Sequence, residues 1–263
     1  VRYCNPWKKW LIWEGKRWLL DDQQLVKKHA RNTIRAIYLE ASLAKSAESR
    51  KKIAAHAMKS EAQAASNAML GLAQMDCPIM PHELDADPWA FNVQNGTIDL
   101  TTGKLTPHAK SAFISKIAPL YYDPTARAEI WEGFLDQTFE GNQELITWIQ
   151  RAIGYSLTGD MREQSFFLCY GTGSNGKTTF LNTLQSLLGE YAEQTSFQTF
   201  LQTQNETVRN DLAKLQNCRF AAAIEADEGR RLAEGLIKQL TGQDAISTRF
   251  LYGEYFTFKP PFK

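Results

Sequence analysis

The run Gly171-Thr172-Gly173-Ser174-Asn175-Gly176-Lys177-Thr178-Thr179 restricts this chain more than any other stretch of it. It satisfies the pattern GxxxxGK[ST] at every fixed position. Its flanks matter as much. The apolar run SFFLCY at 165–170 predicts a strand before it, and Phe180, Leu181, Leu184, Leu187 and Leu188 recur at helical spacing after it, with Gly189 as the stop. In that setting glycines let the backbone curl so that successive N–H groups face one point, and the helix N-terminus adds the positive end of its dipole. The pattern predicts a site for a nucleoside triphosphate, ATP, and Mg²⁺, formed by Gly171 through Thr179. Lys177 would neutralise the β- and γ-phosphates, and Thr178 would offer its hydroxyl to the metal. A Gly-rich turn can match four fixed positions by accident, but the flanking strand and helix argue against that here.

Downstream, residues 219–224 (RFAAAI) predict a second apolar strand, ending in Glu225 with Asp227 and Glu228 following. An acid at the C-terminal end of a strand beside the phosphate loop is where Mg²⁺ coordination and activation of a water need negative charge. Glu225 is the first candidate for both, with Asp227 and Glu228 as further catalytic candidates. Leu232, Leu236, Ile237 and Leu240 then predict a helix broken at Thr241-Gly242, and 245–250 and 255–258 predict a hairpin. At its centre Arg249, Phe250 and Tyr252 combine cation and aromatic rings, a mixture suited to tracking a single nucleic-acid strand.

Upstream the texture differs. Residues 7–20 (WKKWLIWEGKRWLL) predict a hairpin turning at Glu14-Gly15 and packing its indoles onto a neighbouring helix. Asp21 or Asp22 would cap a helix carrying Leu25, Val26, Ala30, Ile34, Ile37 and Tyr38, and a second helical run is expected over 46–73. Pro78 and Pro81 end this module. Asn95-Gly96 and Thr102-Gly103 predict tight hairpins, and two helices follow Pro124, one burying Ile130, Phe134 and Leu135, the other Leu145, Ile146, Ile149 and Ile153 and ending near Gly154. His82, Asp85 and Asp87 match no metal-ligand spacing. The domains read from these shifts are a basic helical module at 1–75, a hairpin and helical domain at 76–160 and an α/β nucleotide-binding core at 161–263.

The net charge of +1 conceals a polarity: residues 1–70 hold 14 Lys+Arg against 6 Asp+Glu, and residues 71–263 hold 16 against 23. A basic first quarter suits a nucleic-acid partner or a solvated helix face. With 43% hydrophobic residues the chain can build a core without staples, and its four cysteines, at 4, 77, 169 and 218, form no CxxC pair, which fits a reducing compartment. No apolar run is long enough for a membrane span. The chain starts at Val1 without a methionine and reads as a fragment of a longer protein.

Taken together, GTGSNGKTT, AAAIEADEG and IKQLTGQDAISTRFLYGEYFTF resemble the superfamily 3 DNA helicases of viruses, phages and plasmids, in particular the helicase portion of phage/plasmid-type primase-helicases. DADPWAFNVQNGTIDLTTGKLTPH and IGYSLTGD resemble the domain preceding the motor in those proteins. The resemblance implies an AAA+-like, parallel-sheet core with a mainly helical, hairpin-bearing domain before it. It also implies a homo-hexameric ring hydrolysing ATP between subunits and drawing single-stranded or forked DNA through its channel. Lys177 and Thr178 would bind phosphate and Mg²⁺, Glu225 would be the second-strand acid, Lys238 would lie in the family's extra motif, and Arg249 through Tyr252 would lie on the channel hairpin. A linked primase domain and a cytoplasmic replication site of a mobile element are part of the same expectation. Many members carry two adjacent acids where this chain has Glu225 and Asp227 separated by Ala226, which leaves open which carboxylate orients the water. The chain stops at Lys263, before the polar sensor and the trans arginine of the family, so this fragment is expected to bind nucleotide and hydrolyse it poorly alone. Two other readings fit the same loop: a non-hydrolysing nucleotide- and DNA-binding loader, and a kinase, which would need a lid and an acceptor pocket.

Overall fold

The computed structural model of the protein describes residues 1–263 except 172, 174, 203–208, 225–230 and 252. It is mixed α/β, with small sheets set among helices. The chain divides into two compact units, Val1–Ala86 with Ala109–Ser115, and Asp87–His108 with Lys116–Lys263.

In the first unit β1 (Arg2–Cys4), β2 (Lys9–Trp13) and β3 (Trp18–Leu20) form an antiparallel sheet in that order. The expected hairpin is β2–β3, with Trp13 opposite Trp18 and the turn clasped by an Arg17–Glu14 ion pair of 3.0 Å. β1 was not legible, because three residues carry no periodicity. The indoles do not pack on a helix as expected. Trp18 is buried with Cys4, Leu11, Ile79 and Leu84, its ring beside Phe113 and its Nε1–H donating to the Lys110 carbonyl at 3.0 Å. Three helices follow: α1 (Leu25–Leu43), α2 (Ala47–Ser60) and α3 (Gln63–Asp76). The run expected over 46–73 is thus two helices, broken at Glu61-Ala62. Asp21, not Asp22, caps α1: its two carboxylate oxygens accept from the N–H groups of Leu25 and Val26 at 2.6 and 3.0 Å. Asp85, in a left-handed conformation (φ 54°), spends its carboxylate on the backbone and hydroxyl of Ser115.

The second unit opens with β4 (Ala90–Val93), β5 (Gly96–Asp99) and β6 (Lys104–Thr106), the two hairpins expected around Asn95-Gly96 and Thr102-Gly103. Then come α4 (Glu129–Thr138), α5 (Gln143–Ser156), which Asn142 caps through the Leu145 N–H, and α6 (Lys177–Leu188). After them come β7 (Ala192–Ser196), α7 (Asn210–Lys214), β8 (Phe220–Ile224), α8 (Glu234–Thr241), β9 (Ile246–Thr248) and β10 (Phe256–Phe258). β7 and β8 are parallel, pairing Ala192 with Phe220 through Ser196 with Ile224; β9 and β10 are antiparallel. The main core joins Phe91, Val93 and Ile98 of the hairpins to Leu184 and Leu188 of α6, Tyr191, and Phe220 and Ala222 of β8. A second cluster gathers Leu212, Leu215, Cys218, Leu240, Ile246 and Phe258.

Several expectations are corrected here. Among the described residues the parallel part of the C-terminal core is two strands, β7 and β8. Residues 165–170 form no strand; they have no ladder partner among the described residues, and Phe166, Leu168 and Tyr170 stand exposed. Ile130 and Leu145, expected in buried stripes, are 92% and 38% exposed, because the first turns of α4 and α5 extend past the core that covers Leu135, Ile146 and Ile149. Leu232 precedes its helix and forms a β-bridge with Leu201 instead.

Candidate nucleotide site

Helix α6 begins at Lys177, immediately after the glycine-rich run, so the loop empties into a helix N-terminus as the motif requires. Gly176 is the N-cap residue in the left-handed region (φ 82°, ψ −3°), and no side chain caps the first turn. A helix leaves its first N–H groups without intrahelical partners, so the first turn at Lys177, Thr178 and Thr179 presents donors toward whatever sits over the loop. Gly176 also meets a tight wall: a Cβ there would come within 3.2 Å of the Phe134 ring and the Thr138 hydroxyl. Only glycine meets both demands.

The Lys177 ammonium folds back across the loop, donating to the Gly171 carbonyl at 2.9 Å and to Asn175 Oδ1 at 2.7 Å. Gly171 has φ 149°, bringing its backbone against the Asn175 side chain. Gly171, Asn175, Gly176 and Lys177 are therefore gathered around one point. Gly173 is exposed, as are Thr178 and Thr179. Thr172 and Ser174 lie outside the described residues. The positive charge reaches Cys169, whose thiol burial pushes up while Lys177 pulls it down.

The loop stands on a firm base. Phe180 donates its N–H to the Gly176 carbonyl at 2.9 Å, and its ring stacks on Trp131. Leu184 and Leu188 sink into the core against the β4–β5 hairpin and β8. At the far end Gly189 stops the helix with φ 53°, where a Cβ would collide with the Pro119 ring.

Glu225, Asp227 and Glu228 lie outside the described residues; β8 reaches Ile224, one residue before Glu225. Lys238 is exposed on α8. Arg249 and Phe250 follow β9, whose end at Thr248 makes the hairpin shorter than expected. The Arg249 guanidinium sits 4.8 Å from the Tyr255 ring centre with its Nε buried and without a hydrogen-bond partner among the described residues, and Phe250 stacks on Phe256 at 5.7 Å. Tyr252 lies outside the described residues.

Two arginines escaped sequence reasoning. Arg209 pairs with Asp211 at 3.1 Å and donates to the Thr199 carbonyl, while its own carbonyl accepts from the Thr248 hydroxyl at 2.9 Å, tying α7 to β9 and to the turn after β7. Burial raises the Asp211 carboxyl, but hydrogen bonds from Arg209 and Thr199 and the Arg209 charge more than offset it, so the group stays below its usual range. Arg219, 5% exposed, donates to the carbonyls of Leu157, Asp87 and Ala90 at 2.8, 3.2 and 2.8 Å and covers the Tyr191 ring. Those partners lie 62 to 132 residues away in sequence, and no local pattern marks them.

This α/β chain with a glycine loop at a helix start is related to the replication primase-helicases. A family model described as "D5 N terminal like" matches residues 1–140, just over half of the sequence, and the chain belongs to that family, whose domain is found in phage and viral primase-helicases. A model described as a family of unknown function (DUF5906) matches residues 169–263, the stretch that contains the glycine loop. A protein of Acanthamoeba polyphaga mimivirus named "Putative helicase" is 26% identical over 193 residues, 71% of this chain and 20% of that protein. The chain spans about a fifth of the length of that relative. Among the described residues no helix is long and apolar enough to cross a membrane.

Proposed function

We propose that this chain carries part of the motor of a superfamily 3-type DNA helicase serving the replication of a phage, virus or plasmid. The reading rests on one observation above all: the Lys177 ammonium is held inside a glycine loop that opens helix α6. Its ligands there, a carbonyl and an amide oxygen, are weak acceptors beside a phosphate, so an incoming triphosphate can take them over with a charge-assisted bond. Membership of the D5 family and the likeness to a viral protein named as a helicase support the same class.

In this reading Gly171 through Thr179 hold the phosphates of ATP. Thr178 holds Mg²⁺ together with Glu225, and the ion would neutralise charge developing on the transferring phosphoryl group. Asp227 or Glu228 shares the task of orienting the attacking water. Lys238, Arg249, Phe250 and Tyr252 contact single-stranded DNA in a homo-hexameric ring, where a neighbouring subunit can supply the arginine that such sites need.

The test is ATP turnover by the full-length protein containing this chain, with and without single-stranded DNA, beside its Lys177→Ala variant. DNA should stimulate turnover and the substitution should abolish it. Turnover indifferent to DNA would overturn the helicase reading.

A further inference from the structure

A groove of about 680 Å³ runs from the start of α4 to the first two turns of α6, lined chiefly by Arg127, Ile130, Trp131, Phe134, Thr179 and Thr183. It begins at the phosphate loop itself. Phe134 both lines the groove and abuts Gly176, and Thr179 is the second residue after Lys177. From Thr179 the groove follows α6 to Thr183, roughly 6 Å along the helix axis at 1.5 Å per residue. Its volume falls within the range of small-ligand sites, and its lining has their character: aromatic and aliphatic walls with a few polar groups.

Two features are unexplained by packing alone. Ile130 is 92% exposed although it heads an amphipathic helix. Trp131 is braced by Phe134 and Phe180, with ring centres at 5.4 and 5.7 Å and near-parallel planes, so a large flat ring is held rigid beside open space. A fixed apolar floor with a cation at its mouth suits a flat, π-rich group.

We infer that this groove takes the base and ribose of the nucleotide whose phosphates lie on the loop. The inference rests on the phosphate-binding reading above and extends it to a second subsite. The base lies over the apolar wall of Ile130, Trp131 and Phe134, Arg127 stands at its edge, and the Thr179 and Thr183 side chains border the ribose. Because stacking on aromatic and aliphatic surface reads the face of a base and not its edge, the site tolerates different bases.

Calorimetric titration of the chain with Mg-ATP, Mg-GTP and inorganic tripolyphosphate separates the two subsites. Wild type should bind both nucleotides more tightly than tripolyphosphate. Trp131→Ala removes the floor but also touches the core, so Thr183→Trp, which fills the groove from an exposed position, serves as the second variant. Each should lower affinity for ATP by roughly tenfold, the loss of one stacked ring, with tripolyphosphate affinity unchanged. Equal affinity of wild type for ATP and tripolyphosphate, or unchanged ATP affinity in Thr183→Trp, would overturn the groove assignment and leave the phosphate loop standing. Failure of wild type to bind either ligand would overturn the phosphate reading itself, and the groove assignment with it.

Discussion

Lys177 and Gly176 do different work within one turn of chain. The lysine supplies a charge that the loop already holds in place, and the glycine supplies a backbone conformation and a gap that no other residue provides. Gly176→Ala would place a Cβ in the left-handed region and against Phe134 and Thr138, costing about 1–2 kcal/mol. Urea unfolding should report that loss, together with weakened nucleotide binding. Cysteine chemistry offers an independent check of burial. Cys169 is exposed and should label with a thiol reagent in the native protein, whereas Cys4 and Cys218, 0% and 2% exposed, should label only after unfolding, as mass spectrometry would read. Burial pushes the Cys218 thiol up to about 12. A folded value above the unfolded 9.0 means that its contribution to stability is complete below about pH 9 and is lost as pH rises toward 12, and a Cys218→Ala variant should lack that alkaline decline. The glycine loop was legible in the sequence because all its determinants lie within nine residues. Arg209 and Arg219 were not, since an arginine donating to distant carbonyls leaves no local mark.

Helices were legible from their period, and their caps from residue type. Asp21 shows how far that goes: an acid ahead of an apolar stripe signals a start, and only the structure distinguishes Asp21 from Asp22. Asp21→Ala removes the acceptor from two first-turn N–H groups and should cost about 1 kcal/mol of stability by thermal or chemical unfolding, whereas Asp22→Ala should be near neutral. What periodicity cannot tell is whether anything covers an apolar face. Ile130 heads a stripe and faces the groove; Phe166, Leu168 and Tyr170 alternate as a strand would and stand exposed beside the loop. The parallel pairing of β7 with β8 was equally hidden, because β7, with the sequence AEQTS, has none of the apolar character by which strands are recognised. It is built by its neighbour: Arg219 bonds back to the Tyr191 carbonyl at 2.7 Å, and the register runs on from there.

Across the molecule, the charge polarity of the sequence falls between the units: the basic first 70 residues lie in the first, and the glycine loop lies in the second. If those basic side chains contact nucleic acid, DNA affinity should fall steeply with salt, with a log–log slope set by the number of phosphates neutralised. A flat salt response would make them solvated surface. The α/β class and the hairpins that brace α6 were readable in advance, whereas the groove beside the loop was not, since α4 and α6 come together only in the fold. The central claim is that the loop at Gly171–Thr179 holds a triphosphate through Lys177. The most direct test is the affinity of the chain for Mg-ATP beside that of Lys177→Ala, with unfolding curves to show that both are folded. The account predicts measurable binding by wild type and a loss of about tenfold or more, 1.4 kcal/mol or above, in the variant at unchanged stability. Equal affinities in the two proteins would contradict it.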